Sequence, residues 1–247
     1  MSVSMYPANY LIFGEGKNIV NTASYGVYIS GSGTFGAPER DVDVVSVPGR
    51  NGDLIFDNGR FKNVSVSYSC FIASNSFATD IERFRGDLYS LRGYHRLEDT
   101  YHPYEYRIGR VSGAFEPSLH QTLEAATATL EFDCKPQRFL KAGDSIIDNP
   151  TKVINPTKFA ARPVIKVNKP TSITVGDNTL YINDFTSETS GYIVIDCETM
   201  EAYTEDKNKF LNNYIKGSFI ELAPGDNSIA NANTDSDFKL IPHWWTI

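Results

Sequence analysis

The chain has 247 residues, 41% hydrophobic and 21% charged, a composition that suits a folded chain with a buried core and room for one large domain or two medium ones. Its 23 Lys and Arg against 30 Asp and Glu give a formal net charge of −7, and no basic block gathers in one stretch, which disfavours a general electrostatic hold on nucleic acid. Residues 1–16 lack a basic start followed by an apolar run, and no stretch reaches the roughly 20 apolar residues that span a bilayer, so the expectation is a soluble chain made without an export signal and without membrane insertion.

Alternation of period two with β-branched and aromatic residues predicts a mainly β protein, beginning with a strand over Val42–Val47. The segment Val47–Lys62 that follows carries three glycines, and its Asn51-Gly52 and Asn58-Gly59 pairs can each supply the positive φ of a tight hairpin turn. Two roles are open to it: a solvated loop, or a contact surface. In the second role Arg50, Asp53 and Arg60 offer both signs of charge for directional pairing in a head-to-tail interface that closes into a ring.

A strand over Asn63–Ile72 leads to a change of period. Between Ser76 and Arg92 the apolar residues Ile81, Phe84, Leu88 and Leu91 are spaced three, four and three apart, one stripe of a helix whose other face carries Asp80, Arg83, Arg85 and Asp87. Ser76 or Thr79 can cap its start and Gly93 can end it. An isolated helix of this length is marginal in water, so the stripe is expected to pack on a sheet face. Arg85-Gly86-Asp87 spells an integrin-ligand tripeptide, but inside a helix it lacks the exposed loop such a ligand needs, and chance is the better account.

After a strand over Thr127–Asp133, the run Lys141–Lys158 breaks every period with Gly143, Asn149-Pro150 and Asn155-Pro156. A boundary is placed there: a first domain over residues 1–142, a linker over 143–158 and a second domain over 159–247. The second reads as seven or eight short strands, among them Pro163–Val167 and Tyr192–Asp196, punctuated by Gly176-Asp177-Asn178 and Pro224-Gly225-Asp226-Asn227 and closed by Phe238–Ile247 as a small sandwich. On a terminal strand Trp244 and Trp245 point to opposite faces, so at least one belongs to a core or domain packing, and the other is a candidate for contact with a glycan.

Chemistry-bearing motifs are sparse. Cys70, Cys134 and Cys197 are far apart and odd in number, which favours buried thiols over a disulfide framework or zinc site. His95, His102, His120 and His243 show no HxH or HExxH spacing, and no GxSxG elbow is present. Glu198 with Glu201, and Glu205 with Asp206, lie in polar turns where solvated charge is the default. No catalytic residue, metal ligand or cofactor is assigned, and the expectation is a protein that is not an enzyme. A sandwich-fold glycosidase would need two carboxyl groups opposed across a cleft.

The run Val44-Val45-Ser46-Val47-Pro48-Gly49-Arg50-Asn51-Gly52-Asp53, followed by Asn58–Asn63 and a strand, is similar to the early part of the distal tail proteins of long-tailed, non-contractile bacteriophages. Leu130–Phe139 looks like that family's strand ending in a Pro-x-Arg-Phe step, and Gly191–Asp196, Leu222–Asn227 and the late Trp pair are similar to its C-terminal domain. The resemblance implies an N-terminal β-sandwich with one α-helix that forms a hexameric ring, and a C-terminal galectin-like β-sandwich pointing outward. It implies a structural hub in the virion, at the tail tip or baseplate and made in the host cytoplasm. The hub would connect the major tail (tube) protein to the tail-associated fibre or lysin protein and to receptor-binding or baseplate proteins, with DNA only passing through its channel. The alternative of another class is a carbohydrate-binding module that contacts host cell-wall glycans, with Trp244 and Trp245 as its rings.

Overall fold

In the computed structural model, which describes residues 9–31, 36–119 and 125–247, the period-two runs form antiparallel strands and the stripe of period 3.6 forms a helix. The chain divides into two units, Met1–Arg138 with Ile247, and Phe139–Thr246.

The first unit holds β1 (Leu11–Glu15), β2 (Asn18–Asn21), β3 (Val27–Ser30), β4 (Arg40–Val45), β5 (Leu54–Phe61), β6 (Val64–Ala73), the helix α1 (Phe77–Ser90), β7 (His95–Asp99), β8 (Glu105–Val111), β9 (Ser118–Leu119) and β10 (Ala125–Leu140). One sheet runs in the order β2-β1-β7-β8-β10-β6-β3, with β9 also on β10. In β6 and β10 alternate residues are buried, including Val66, Tyr68, Cys70 and Ile72, and Ala126, Ala128, Leu130, Phe132 and Cys134. Three strand steps separate β1 from β10, about 14 Å in a flat sheet, yet the rings of Phe13 and Phe132 lie 5.2 Å apart. The Tyr68 hydroxyl on β6 likewise reaches Asp99 on β7 at 2.9 Å. The sheet therefore curls on itself, and its ends meet where the Ile29 N–H donates to the Asn9 carbonyl at 2.8 Å. The two-layer packing expected of an N-terminal sandwich is achieved by opposite flanks of one curled sheet facing a shared core.

Helix α1 buries Ile81, Phe84 and Leu88 in that core, and Phe84 meets Tyr25 and Phe115 at ring distances of 5.4 and 5.0 Å. Ser76 occupies the N-cap position without a side-chain cap bond. The backbone N–H of Ser76 instead donates to Ser74 Oγ, whose hydroxyl pairs with Asp80. Leu91, expected to complete the apolar stripe, is the C-cap in extended conformation, and Gly93 adopts φ +84° two residues later.

The second unit holds β11 (Ile147–Asp148), β12 (Lys152–Asn155), β13 (Val164–Val167), β14 (Thr171–Val175), β15 (Asn178–Ile182), β16 (Ile193–Asp196), β17 (Glu201–Thr204), β18 (Ile215–Gly217), β19 (Gly225–Asn231) and β20 (Phe238–Ile241). They form two sheets, β11-β20-β13-β16-β17 and β12-β19-β14-β15-β18. One core draws on both, with Ile165, Val167, Ile193, Ile195, Phe238 and Leu240 from the first and Ile173, Val175, Leu180, Ile182 and Ile229 from the second. This is the small sandwich expected of the C-terminal half.

The linker assigned to 143–158 is corrected by this arrangement. Its residues supply β11 and β12, one to each sheet, and Val153 is buried in the common core. The Asn155 side chain donates to the carbonyls of Phe159 and Leu222 and accepts from the Thr157 N–H, which ties the chain after Pro156 to the bridge between Ala161 and Leu222. The change between units falls within the run of β10.

All three cysteines are buried, and desolvation pushes each thiol up to about 12 from 9.0. The native thiols are expected to resist an aromatic disulfide reagent at mildly alkaline pH and to react once the chain is unfolded, as followed by absorbance. An unfolded thiol ionises near 9.0 and a folded one near 12, so this contribution to stability is complete below pH 9.0 and declines as pH rises toward 12. Phe132→Ala, which removes the ring packed on Phe13 and Tyr68, is expected to cost about 3–5 kcal/mol in chemical denaturation; a loss below about 1 kcal/mol would mean that the curl does not depend on this contact.

Candidate functional site

Among the described residues, strands β4 and β5 pair only with each other, as a two-stranded sheet apart from the curled one. Toward its base the hairpin is fastened by charge: Arg40 meets Asp57 at 3.0 Å, Arg60 meets Asp41 at 2.6 Å and Lys62 meets Glu39 at 3.3 Å, while the Arg40 guanidinium lies 4.9 Å from the centre of the Phe61 ring. Each exposed pair contributes only about 0.2–1 kcal/mol, but together they fix which strand residues oppose each other. Toward its tip the side chains turn apolar. Val44 opposite Ile55 lies on one face, and Val45 opposite Leu54 lies on the other with Phe56. Val44, Val45, Ile55 and Phe56 are 57%, 46%, 67% and 56% exposed, so neither face is covered. A lone two-stranded hairpin is marginal in water, and apolar side chains exposed on both of its faces make it a candidate contact surface.

The residues singled out in the sequence occupy different places on this arm. Arg50 and Asp53 are exposed in the loop 46–53 that joins the strands, whereas Arg60 is turned back onto Asp41 of its own hairpin. The Asn51-Gly52 pair falls in that loop with Gly52 at φ +79°. The Asn58-Gly59 pair is not a turn. It lies within β5 at a bulge, where Asn58, Gly59 and Arg60 face the single residue Asp41 between the pairs Arg40–Phe61 and Val42–Asp57, and Gly59 at φ +70° absorbs the extra chain.

The two tryptophans differ in burial, Trp244 lying in a core and Trp245 half-buried. Trp244 is 6% exposed in the core of the second unit, packed where a Cβ on Gly143 would come within 2.4 Å of its backbone nitrogen. Trp245 stacks on Phe159 at 4.5 Å and donates its indole N–H to the Ala160 carbonyl at 2.9 Å. Trp244 is thus a core ring, and Trp245, the other candidate for glycan contact, is packed on one face by Phe159. Arg85-Gly86-Asp87 is helical, and Asp87 accepts a hydrogen bond from the Tyr25 hydroxyl at 2.6 Å.

Among the described residues no group of three or more His, Cys, Asp and Glu is placed to hold a metal; His120 lies outside them. A groove of about 540 Å³ in the first unit is lined by Ser30, Ser69, Ser118, Thr127, Thr129 and Glu116 among others, with one carboxylate and no Trp or Tyr, so this lining does not supply an opposed carboxyl pair. The buried Arg107, 6% exposed, carries no sequence signal of its burial; its two terminal amino groups have no acceptor among the described residues, and it shares a small cavity with Asp99, His102, Glu105 and Arg138. Burial, then the neighbouring Arg138, draws its pKa down. Asp99 is taken up by Tyr68 and His102, and Glu105 by Arg138 at 2.8 Å. Alternation alone would have put Tyr106 and Arg107 on opposite faces, one of them solvated.

No protein-family description and no curated protein matches the chain. Solved structures do. The crystal structure of the Dit (gp 19.1) protein of phage SPP1, described as a paradigm of the hub adsorption apparatus in phages infecting Gram-positive bacteria, is 12% identical, with a TM-score of 0.70 over 94% of this chain and 97% of that one. Chains of the phage p2 baseplate in its activated conformation are similar at TM-scores of 0.51 with strontium and 0.52 with calcium, at 10% and 11% identity and again over 94% of this chain and 97% of theirs. The mainly β fold implied by the resemblance to distal tail proteins is thus met over almost the whole length, and the chain shares its fold with phage Dit and baseplate chains.

Proposed function

We propose that this protein is a structural hub of a bacteriophage tail tip or baseplate, part of the virion and without catalysis of its own. The observation that carries the reading is the fold held in common, along nearly the full chain, with a Dit protein described as a hub of an adsorption apparatus. Its first unit closes into a hexameric ring, with DNA passing only through the channel. The ring joins the tail-tube protein on one side to a tail-associated fibre or lysin protein on the other, and the second unit supports receptor-binding or baseplate proteins.

The hairpin supports self-assembly in particular. A ring needs two different complementary patches on each copy, and an arm with uncovered apolar faces is one such patch. Its loop adds Arg50 and Asp53, which give the contact direction and register. Arg60 takes part indirectly, by holding the arm's strands in register through Asp41.

Light scattering over a range of concentrations is the test, with an approach to six copies expected for the native chain. Ile55→Asp with Phe56→Asp is expected to leave a monomer of unchanged thermal midpoint, because both side chains are exposed in the single chain. Assembly of this variant at native strength would overturn the role of the hairpin, and a strict monomer of the native chain that also fails to bind a tail-tube protein would overturn the hub. Arg50→Glu is expected to weaken association more at low salt than at high salt, as a screened contact should.

A further inference from the structure

We infer that Asn51 is a site of self-modification, at which the side-chain amide is converted without an enzyme to a carboxylate, part of it in an isoaspartyl linkage, while Asn58 in the same arm is protected by the fold. The sequence holds two Asn-Gly pairs, and at the level of sequence they are equivalent.

The reaction has definite needs. A solvent base removes the proton from the Gly52 backbone nitrogen, which attacks Cγ of Asn51; the N–Cγ bond forms, ammonia leaves, and a five-membered succinimide results. Water then adds to either ring carbonyl and opens the ring to aspartate or isoaspartate. One water is consumed and one ammonia released, with no change of oxidation state. The step needs an amide N–H not held by an acceptor, no side chain on the attacking residue, room for the asparagine side chain to swing, and access of water.

Asn51 and Gly52 meet these needs. Both are exposed in the loop 46–53, a Cβ built on Gly52 meets no atom within 4 Å, and neither residue has a hydrogen bond among the described residues. At the second pair both reacting groups are engaged. The Gly59 N–H donates to Asp57 Oδ1 at 2.8 Å, and Asn58 Nδ2 donates to Asp43 at 3.4 Å, within the ladder of β5. The nucleophile is tied to a carboxylate there and the electrophile is tied across the hairpin.

Conversion adds one negative charge to a chain whose formal net charge is −7, and sets it between Arg50 and Asp53. The isoaspartyl form also lengthens the backbone of the loop. Resting on the assembly reading above, this makes the arm of an unassembled chain lose its original charge pattern with age, whereas a copy whose loop is covered by a neighbour keeps it.

The test is incubation of the native full chain at mildly alkaline pH, at a dilution where light scattering finds single copies, followed by peptide mapping and isoaspartate-specific enzymatic methylation. Amide loss is expected to be several-fold faster at Asn51 than at Asn58, with the isoaspartate signal abolished in Asn51→Ser. Equal rates at the two sites, or an intact Asn51, would overturn the proposal. Asp57→Ala, which frees the Gly59 N–H, is expected to raise the rate at Asn58; an unchanged rate would overturn the protection argument. These readings do not depend on ring formation, which light scattering of undiluted samples measures separately.

Discussion

A β-sheet has a face to cover and two edges to satisfy, and the first unit meets both demands by curling. Bringing β1 over β10 lets Phe13 pack on Phe132, and bringing the ends together lets Ile29 bond to Asn9. The remaining structure depends on that closure. It creates the enclosed space into which α1 sets Ile81, Phe84 and Leu88, and it buries Tyr106 and Arg107 on successive positions of one strand. It also fixes where a side chain cannot be tolerated, as at Gly109, where a Cβ would come within 2.7 Å of Cys134 Sγ.

Set against that economy, the β4–β5 hairpin is conspicuous for what it leaves uncovered. The curled sheet turns most of its large apolar side chains inward, with Ile19, Phe71 and Leu119 left outside, while the hairpin carries Val44, Val45, Ile55 and Phe56 into solvent and spends its polar contacts on holding its own strands together. In the second unit, Trp244 is drawn inward by the core and Trp245 is packed against Phe159. The arm thus gathers four exposed apolar side chains on two short strands, and the terminal rings contribute to the internal packing of the second sandwich.

Much of this was legible in the sequence where periodicity was long enough to register. The three-four-three spacing of Ile81, Phe84, Leu88 and Leu91 located the helix, and the alternation in β6 and β10 identified the longest strands. What escaped was either short or nonlocal. Strands β11 and β12 have two and four residues, too few to show a period, and prolines beside them imitate a linker. The Asn58-Gly59 pair gives the same local signal for a bulge as for a turn, because both need one residue at positive φ. The fate of Trp245 was set by Phe159 and Ala160, more than eighty positions away in the chain, and burial of Arg107 follows from a curl that no local window contains.

Strand β10 has one more consequence, and it is mechanical. Its pairing with β6 is continuous and antiparallel from Ala125 opposite Ala73 to Cys134 opposite Val64, and the same strand runs on to Leu140 in the second unit. A pull transmitted through Leu140 along that strand acts parallel to it and at right angles to its ladder hydrogen bonds. Such a load is borne by all the rungs together, as in a lap joint, whereas a pull across the ladder would peel them one at a time. The fold is thus built to carry tension along β10 without opening the curled sheet.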